Sequence, residues 1–428
     1  MQTMNIIEGL KEKGAAYLLV MFSFCLPLSQ RLSTVVILLS VLLSLVFLKK
    51  SKFLFKKELL FLVGLYFVYT LSLIYTENFG FKYFEQKASL LAFPLIFFLI
   101  GKKLSKNTTE KILSFFVYGC VLSGLYCYYI ALTNSISFID GALTFRPQVN
   151  ADSGFLESSI RGGNHFFGSF FSSLHHTTYF GMYINLAIAI LLFKKPLFRN
   201  KIIRLSFLVF LSIVLIQVSS RAGLVTLLII YVFYLFKFLS RLKFFTLLTL
   251  VLISSFMVSQ FNPRIKKTVD NLIDKGLNFD NEDIGSMSQR FMTWDASLEI
   301  IKKNPIVGVG IGDTYNELKQ VYRQKRYIYP YRERLNSHNQ YLQLLVECGV
   351  FGLLLFGFTI KNLIVRRKSR DSNYIITCFI IIIVFNSFFE SILNQYSGLA
   401  FFCFFYCLFM FYKSPTKILK KDIQYAKD

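Results

Sequence analysis

Apolar stretches about one bilayer thickness long recur along this chain and limit its folding more than any other feature. A helix needs ~20 mainly apolar residues to cross a membrane. Runs of that order fall at 15–28, 31–48, 59–75, 88–101, 112–132, 177–193, 203–218, 222–239, 242–259, 339–360, 374–390 and 395–412. They predict an all-α, polytopic integral membrane protein with about twelve transmembrane helices, forming one membrane domain over 1–428. A 54% hydrophobic composition with a net charge of +24 agrees, because soluble domains rarely combine the two. The first run follows Lys11 and Lys13, but "SFCLPLSQR" has no small-x-small cleavage site, so it reads as a retained helix. The seven cysteines lie in or beside apolar runs without a C-x-x-C pair, as core or lipid-facing filler would.

The basic residues alternate between connections. With the N-terminus inside, the inner segments hold "KKSKFLFKK", "KKLSKNTTEK", "KKPLFRNKIIR", "KFLSRLK", "KNLIVRRKSR" and "KSPTKILKK", while the short outer turns hold little beyond Arg31, Lys82, Lys87 and Arg221. This bias predicts that both termini are cytoplasmic and accounts for most of the positive charge without nucleic acid.

Two outer connections are long, 133–176 and 260–337, and the second is expected to carry short helices. It has thirteen Lys and Arg between Arg264 and Arg334, including Arg323, Arg326 and Arg332. Long external loops escape the charge bias, so an anionic partner is one explanation and a basic surface beside lipid headgroups is the other. Within it, "SMSQRFMTWDASLEIIKKN" spaces Phe291, Trp294, Leu298 and Ile301 as one face of a helix that can lie on a membrane surface. "PIVGVGIGD" lacks the G-x-G-x-x-G spacing and the β-α-β setting of a dinucleotide site, and reads as a tight backbone turn.

Three residues sit at costly addresses. In "RLNSHNQYLQLLVECGVFGLLLF", Ser337 and Gln340 form an S-x-x-Q capping box, which predicts a helix starting at His338. The positive end of the helix dipole would favour a neutral imidazole there, able to take a proton from a hydroxyl. A histidine that only caps or anchors is the alternative. Arg221, in "QVSSRAGLV", occupies a very short outer turn where a charge is expensive. Arg290 opens the amphipathic segment of the large loop. Guanidinium groups bind phosphate oxygens bidentately, though headgroup anchoring would also account for either arginine.

His165, His175 and His176 approach the sixth run from outside, near Arg161. Adjacent histidines on a helix diverge, which argues against a shared metal, and contacts from Arg161, His175 and His176 to donor or acceptor are the expectation. "NFDNED" lacks EF-hand spacing and the outer loops carry no H-E-x-x-H, so no metal is expected. Glu390 ends the eleventh run, where it can orient His338, pair an arginine or simply cap.

The order "SSRAG", "RFMTWDA", "PIVGVGIGD" and "SHNQYLQLLVECGVFGLL" resembles the O-antigen ligase superfamily, most strongly over 160–360. The His-Thr-Thr-Tyr entry to the sixth run also resembles the family. The resemblance implies a multi-pass glycosyltransferase of the bacterial inner (cytoplasmic) membrane with its active site facing the periplasm. Its donor would be a glycan on undecaprenyl diphosphate and its acceptor lipid A-core or another glycan, with no cofactor. Arg221 and Arg290 would hold the diphosphate and His338 would be the base, with Arg161, His175, His176, Arg323, Arg326, Arg332 and Asn339 as further substrate contacts. An O-antigen or exopolysaccharide polymerase would use the same scaffold. A twelve-helix transporter or flippase is the rival from another class, but no internal duplication is evident and the polar residues gather at the outer mouth.

Overall fold

A computed structural model describes residues 14, 16–46, 56–101, 104–139, 141–150, 154–161, 163–240, 286–368 and 374–411, with scattered positions between 242 and 253. Most of the run 242–259, the large loop up to 285 with its "NFDNED", and "KSPTKILKK" lie outside the described residues.

Every apolar run within the described residues coincides with a helix: α1 (Ala16–Cys25), α2 (Gln30–Val46), α3 (Leu60–Ser72), α5 (Ser89–Ile100), α6 (Lys106–Ser135), α9 (Thr177–Phe193), α10 (Lys201–Val218), α11 (Arg221–Phe238), α15 (Gln340–Lys368), α16 (Tyr374–Ser387) and α17 (Tyr396–Phe411). Between them lie α4 (Lys82–Lys87), α7 (Phe155–Arg161), α8 (Gly168–Phe171), α12 (Ser286–Lys303), α13 (Thr314–Gln324) and α14 (Ile328–Arg332). Among the described residues four helices, α6, α10, α11 and α15, are long and apolar enough to cross a membrane, and shorter apolar helices accompany them.

Sequence chemistry sets the boundaries. Ser105 caps α6 by accepting from Thr108 N at 3.0 Å, and Asn200 caps α10 through Ile202 N at 2.8 Å. Helices α9 and α17 are apolar on all sides and are buried from Thr178 to Leu192 and from Ser397 to Phe411, which makes them the centre of the bundle. Around them α2 leaves Leu32, Val35, Leu38, Leu39 and Leu42 exposed in one stripe, and α3 leaves Phe67 and Leu71. Contiguous exposed apolar surface of this kind suits lipid, not water.

Among the described residues the departures from all-α are a two-stranded hairpin and an isolated bridge between Gln148 and Asn164. After α6 the chain forms an antiparallel hairpin, β1 (Ile136–Ile139) and β2 (Ala142–Phe145), with Ile139 paired to Ala142 across a two-residue turn. In the sequence Ile139 is followed by Asp-Gly, a strong signal for a two-residue hairpin, and Gly141 has φ +78°.

Helix α15 is broken at Gly349 (φ 60°, ψ −155°), a backbone region that is essentially glycine's alone. The glycine-rich turn docks into the break. Val309 N donates to Val346 O at 2.8 Å, Gly310 N to Glu347 O at 3.1 Å, and Val350 N to Pro305 O at 3.2 Å. The carbonyls freed by the break are therefore satisfied, where in an apolar setting each orphan would cost several kcal/mol. A Cβ on Gly349 would collide with the Ile306 carbonyl. Asp313 pins the end of the turn, accepting from Glu77 N at 2.8 Å and Asn78 N at 2.9 Å.

Candidate active site

The site is built from helix ends. Ser219 closes α10 in the left-handed conformation (φ 53°), and Ser220, extended, caps α11 by accepting from Gly223 N at 3.2 Å. Arg221 is thereby the first residue of α11 and is exposed. Helix α9 likewise begins just after His176. The first turns of α9 and α11 line one cavity of about 330 Å³, together with Met287 and Arg290 of α12 and with Phe385 and Phe389 at the end of α16. Two helix N-termini and two arginines give this cavity the charge and the donors that suit an anion.

Arg290 is held in place by aromatic and backbone contacts. Its Nε donates to Phe389 O at 3.3 Å, and its guanidinium lies 5.9 Å from the Phe389 ring centroid. Burial lowers its pKa, and the nearby Glu390 charge opposes that fall. Glu390 is 5% exposed. Burial alone would push its carboxyl up, but the facing His338 ring and the charges of His176 and Arg290 outweigh it and hold the carboxyl below its usual value. Glu390 Oε1 lies 3.5 Å from His338 Nδ1 and accepts from Ser391 N at 3.2 Å. A buried carboxylate needs such partners, since uncompensated it would cost several kcal/mol.

His338 does not open its helix, contrary to the capping-box expectation. Helix α15 starts at Gln340, and its cap is Asn339, whose Oδ1 accepts from Tyr341 N at 2.9 Å and Leu342 N at 3.1 Å. Asn caps at least as well as Ser, and the Ser337 hydroxyl is occupied by Ser297 Oγ at 2.9 Å. Gln340 turns away to Leu393 N at 2.7 Å. His338 is left just before the cap in the left-handed region (φ 42°), with its N–H donating to Asn336 Oδ1 at 2.9 Å. Strained non-glycine backbone of this kind concentrates at functional sites.

Helix α12 supports the loop that carries His338, by a face shifted from the expected one. Met292, Thr293, Ala296, Ser297 and Ile300 are buried, whereas Leu298 is 47% exposed and Phe291 packs edge-on to Trp294. The small polar residues of the buried face do the holding, with Thr293 Oγ1 donating to Ser337 O at 3.3 Å. Lys325 and Tyr327 clamp the following helices to α12 through Asp295, at 2.6 and 2.8 Å.

The remaining candidates divide. His176 lines the arginine cavity and an adjoining one of about 310 Å³. His175 is buried and its two nitrogens are engaged, Nε2 with Pro27 O at 3.0 Å and Nδ1 with Ser397 Oγ at 3.2 Å. Burial pulls its pKa down to about 4, against the Pro27 bond, so it is a neutral tie between α9, α17 and the α1–α2 turn. Arg323, Arg326 and Arg332 are exposed on and beside α13 and α14 and do not line the arginine cavity. Arg161 ends α7. His165 meets the Phe170 ring. Among the described residues no group of three His, Cys, Asp or Glu is placed to hold a metal.

Residues 169–357 match the family described as O-antigen ligase. This region belongs to the O-antigen ligase superfamily. No curated protein matches the chain. The O-antigen ligase region includes His175, His176, Arg221, Arg290 and His338, while Arg161 precedes it and Glu390 follows it. The family match over this region and the four helices long and apolar enough to cross a membrane support a membrane enzyme of ligase or polymerase type.

Proposed function

We propose that the protein is a glycosyltransferase that moves a glycan from undecaprenyl diphosphate to lipid A-core on the periplasmic face of the bacterial inner membrane, using about twelve spans with both termini cytoplasmic. The observation that carries this reading is the convergence of Arg221, Arg290 and two helix N-termini on one cavity, beside the His338–Glu390 pair.

In the proposed reaction Arg221 and Arg290 hold the diphosphate. An acceptor hydroxyl gives its proton to His338 while its oxygen bonds to the anomeric carbon. The bond from that carbon to the phosphate oxygen breaks, and its electron pair leaves with the lipid diphosphate. Glu390 at Nδ1 fixes the tautomer that leaves Nε2 free to accept, and their 3.5 Å separation can tighten once substrate binds. The arginines neutralise the charge that develops on the leaving group.

Reconstitution in liposomes with a lipid-linked glycan tests the reading. Covalent transfer to lipid A-core is the expected result, and transfer only to a second lipid-linked repeat would make the protein a polymerase. Translocation of the donor without transfer would make it a flippase.

A further inference from the structure

Two further charges are buried in the protein, and neither lines the arginine cavity. Lys87, at the end of α4, and Glu347, in α15 just before the break at Gly349, are each 2% exposed. A charge is too costly to bury alone, so each must be held by fixed partners.

Those partners form a ring. Lys87 Nζ donates to Asn394 Oδ1 at 2.8 Å and Asn394 Nδ2 donates to Glu347 Oε1 at 2.9 Å, so one amide bridges the two charges. Lys87 Nζ also donates to Leu393 O at 2.8 Å, while Leu393 N donates to Gln340 Oε1 at 2.7 Å. Gln340 and Glu347 both flank the Tyr69 hydroxyl, and the Lys87 ammonium lies 4.2 Å from the centroid of the Tyr69 ring. Glu347 Oε1 accepts a second bond, from Gln343 Nε2 at 2.8 Å, and Gln343 Oε1 accepts from Ser337 N at 2.9 Å.

The ring ends on the two chain segments that carry the His338–Glu390 pair. Ser337 directly precedes His338, and Leu393 and Asn394 belong to the short helical turn Ile392–Asn394 that follows Glu390. The segments meet again at Asn336, whose Oδ1 accepts from His338 N at 2.9 Å and from Ser391 Oγ at 3.3 Å. His338 lies before the start of α15 and Glu390 after the end of α16, so no helix fixes their separation. Contacts from elsewhere in the fold must do so, and bonds to ionised groups are roughly twice as strong as neutral ones. We infer that Lys87 and Glu347, joined through Asn394, are positioning residues of the transfer reaction: they hold the His338 and Glu390 segments in register so that Glu390 meets Nδ1. The inference rests on the glycosyl-transfer reading.

Two measurements on the full chain in nanodiscs test it. In the first, turnover from a lipid-linked donor to lipid A-core is followed in two variants. Glu347→Gln removes the charge but keeps an oxygen for Gln343 and Asn394, whereas Gln343→Leu leaves both charges in place and cuts the ring from Ser337. Each should lower kcat ~10-fold or more, the scale on which outer partners orient a reacting group, with both KM values unchanged. In a His338→Asn background the same substitutions should cost nothing further, because the base that they align is gone. Wild-type kcat in both variants, or equal losses with and without His338, overturns the assignment while leaving the transferase reading intact. The second measurement needs no turnover. The chain has four histidines, and in NMR of isotope-labelled histidine the His338 ring signals are identified by their disappearance in His338→Asn. Both variants should move the His338 signals and leave those of His165 in place, and unmoved His338 signals overturn the positioning role. Signals that move as expected, in a protein whose wild type transfers nothing, would remove the transferase reading alone.

Discussion

Glu390 Oε1 faces His338 Nδ1 across 3.5 Å, and the same carboxylate lies within the electrostatic reach of Arg290. One buried acid thus joins the proposed base to the proposed diphosphate clamp. Glu390→Gln keeps the shape but removes the charge, and should reduce turnover tenfold or more with little change in donor KM, measured on purified protein at saturating acceptor. Equal loss in the donor KM would assign Glu390 to positioning Arg290 instead.

The depressed Glu390 pKa has a signed consequence for stability. A carboxyl whose folded value lies below the unfolded one, ~4.3 for Glu, contributes stability that is complete above the unfolded value and is lost as pH falls through the folded one. Glu390→Gln should therefore melt below wild type at pH 7, and the two curves should converge at strongly acidic pH. A gap that stays constant from pH 7 to the acid limit would contradict the ionic role.

Arg221→Ala and Arg290→Ala should each abolish transfer while leaving the protein in the membrane. Lysine should rescue partly at best, because a point charge cannot replace a bidentate fork. At Arg290 lysine also loses the guanidinium's contact with the Phe389 ring and its Nε bond to Phe389 O. Full activity in both alanine variants would remove the diphosphate clamp.

Gly349→Ala should be strongly destabilising, by at least ~1–3 kcal/mol for the backbone alone, with the collision against the Ile306 carbonyl added. Gly357 lies on the same helix with nothing near its missing side chain, so Gly357→Ala should be neutral or stabilising by ~0.5–1 kcal/mol. Thermal melts in detergent read both, and similar melts for the two variants would contradict the docked break.

The sequence disclosed the helices because period and length are one-dimensional properties: the runs at 177–193 and 395–412 match α9 and α17 closely. Arg221, Arg290 and His176 were legible as misplaced polar groups, although their meeting in one cavity depends on tertiary packing. The cap at Asn339 is not legible in sequence because Ser337 matches the capping box equally well, and only Ser297, forty residues earlier, removes its hydroxyl. Asp140-Gly141 is a readable hairpin signal, though it follows directly on an apolar run that reads as helix. Glu347 gives no sign in sequence, where it is one acid in an apolar helix, and its partner Asn394, which also accepts from Lys87, comes from a distant element.

His338→Asn in single-turnover transfer from a saturating lipid-linked donor tests the account most directly. Asparagine tolerates the left-handed backbone found at this position, so the substitution removes the base without disturbing the cap at Asn339. The account predicts a loss of ~10²-fold or more in turnover, with donor binding nearly unchanged. Near-normal turnover by this variant would reduce His338 to a structural residue and leave the reaction without its base.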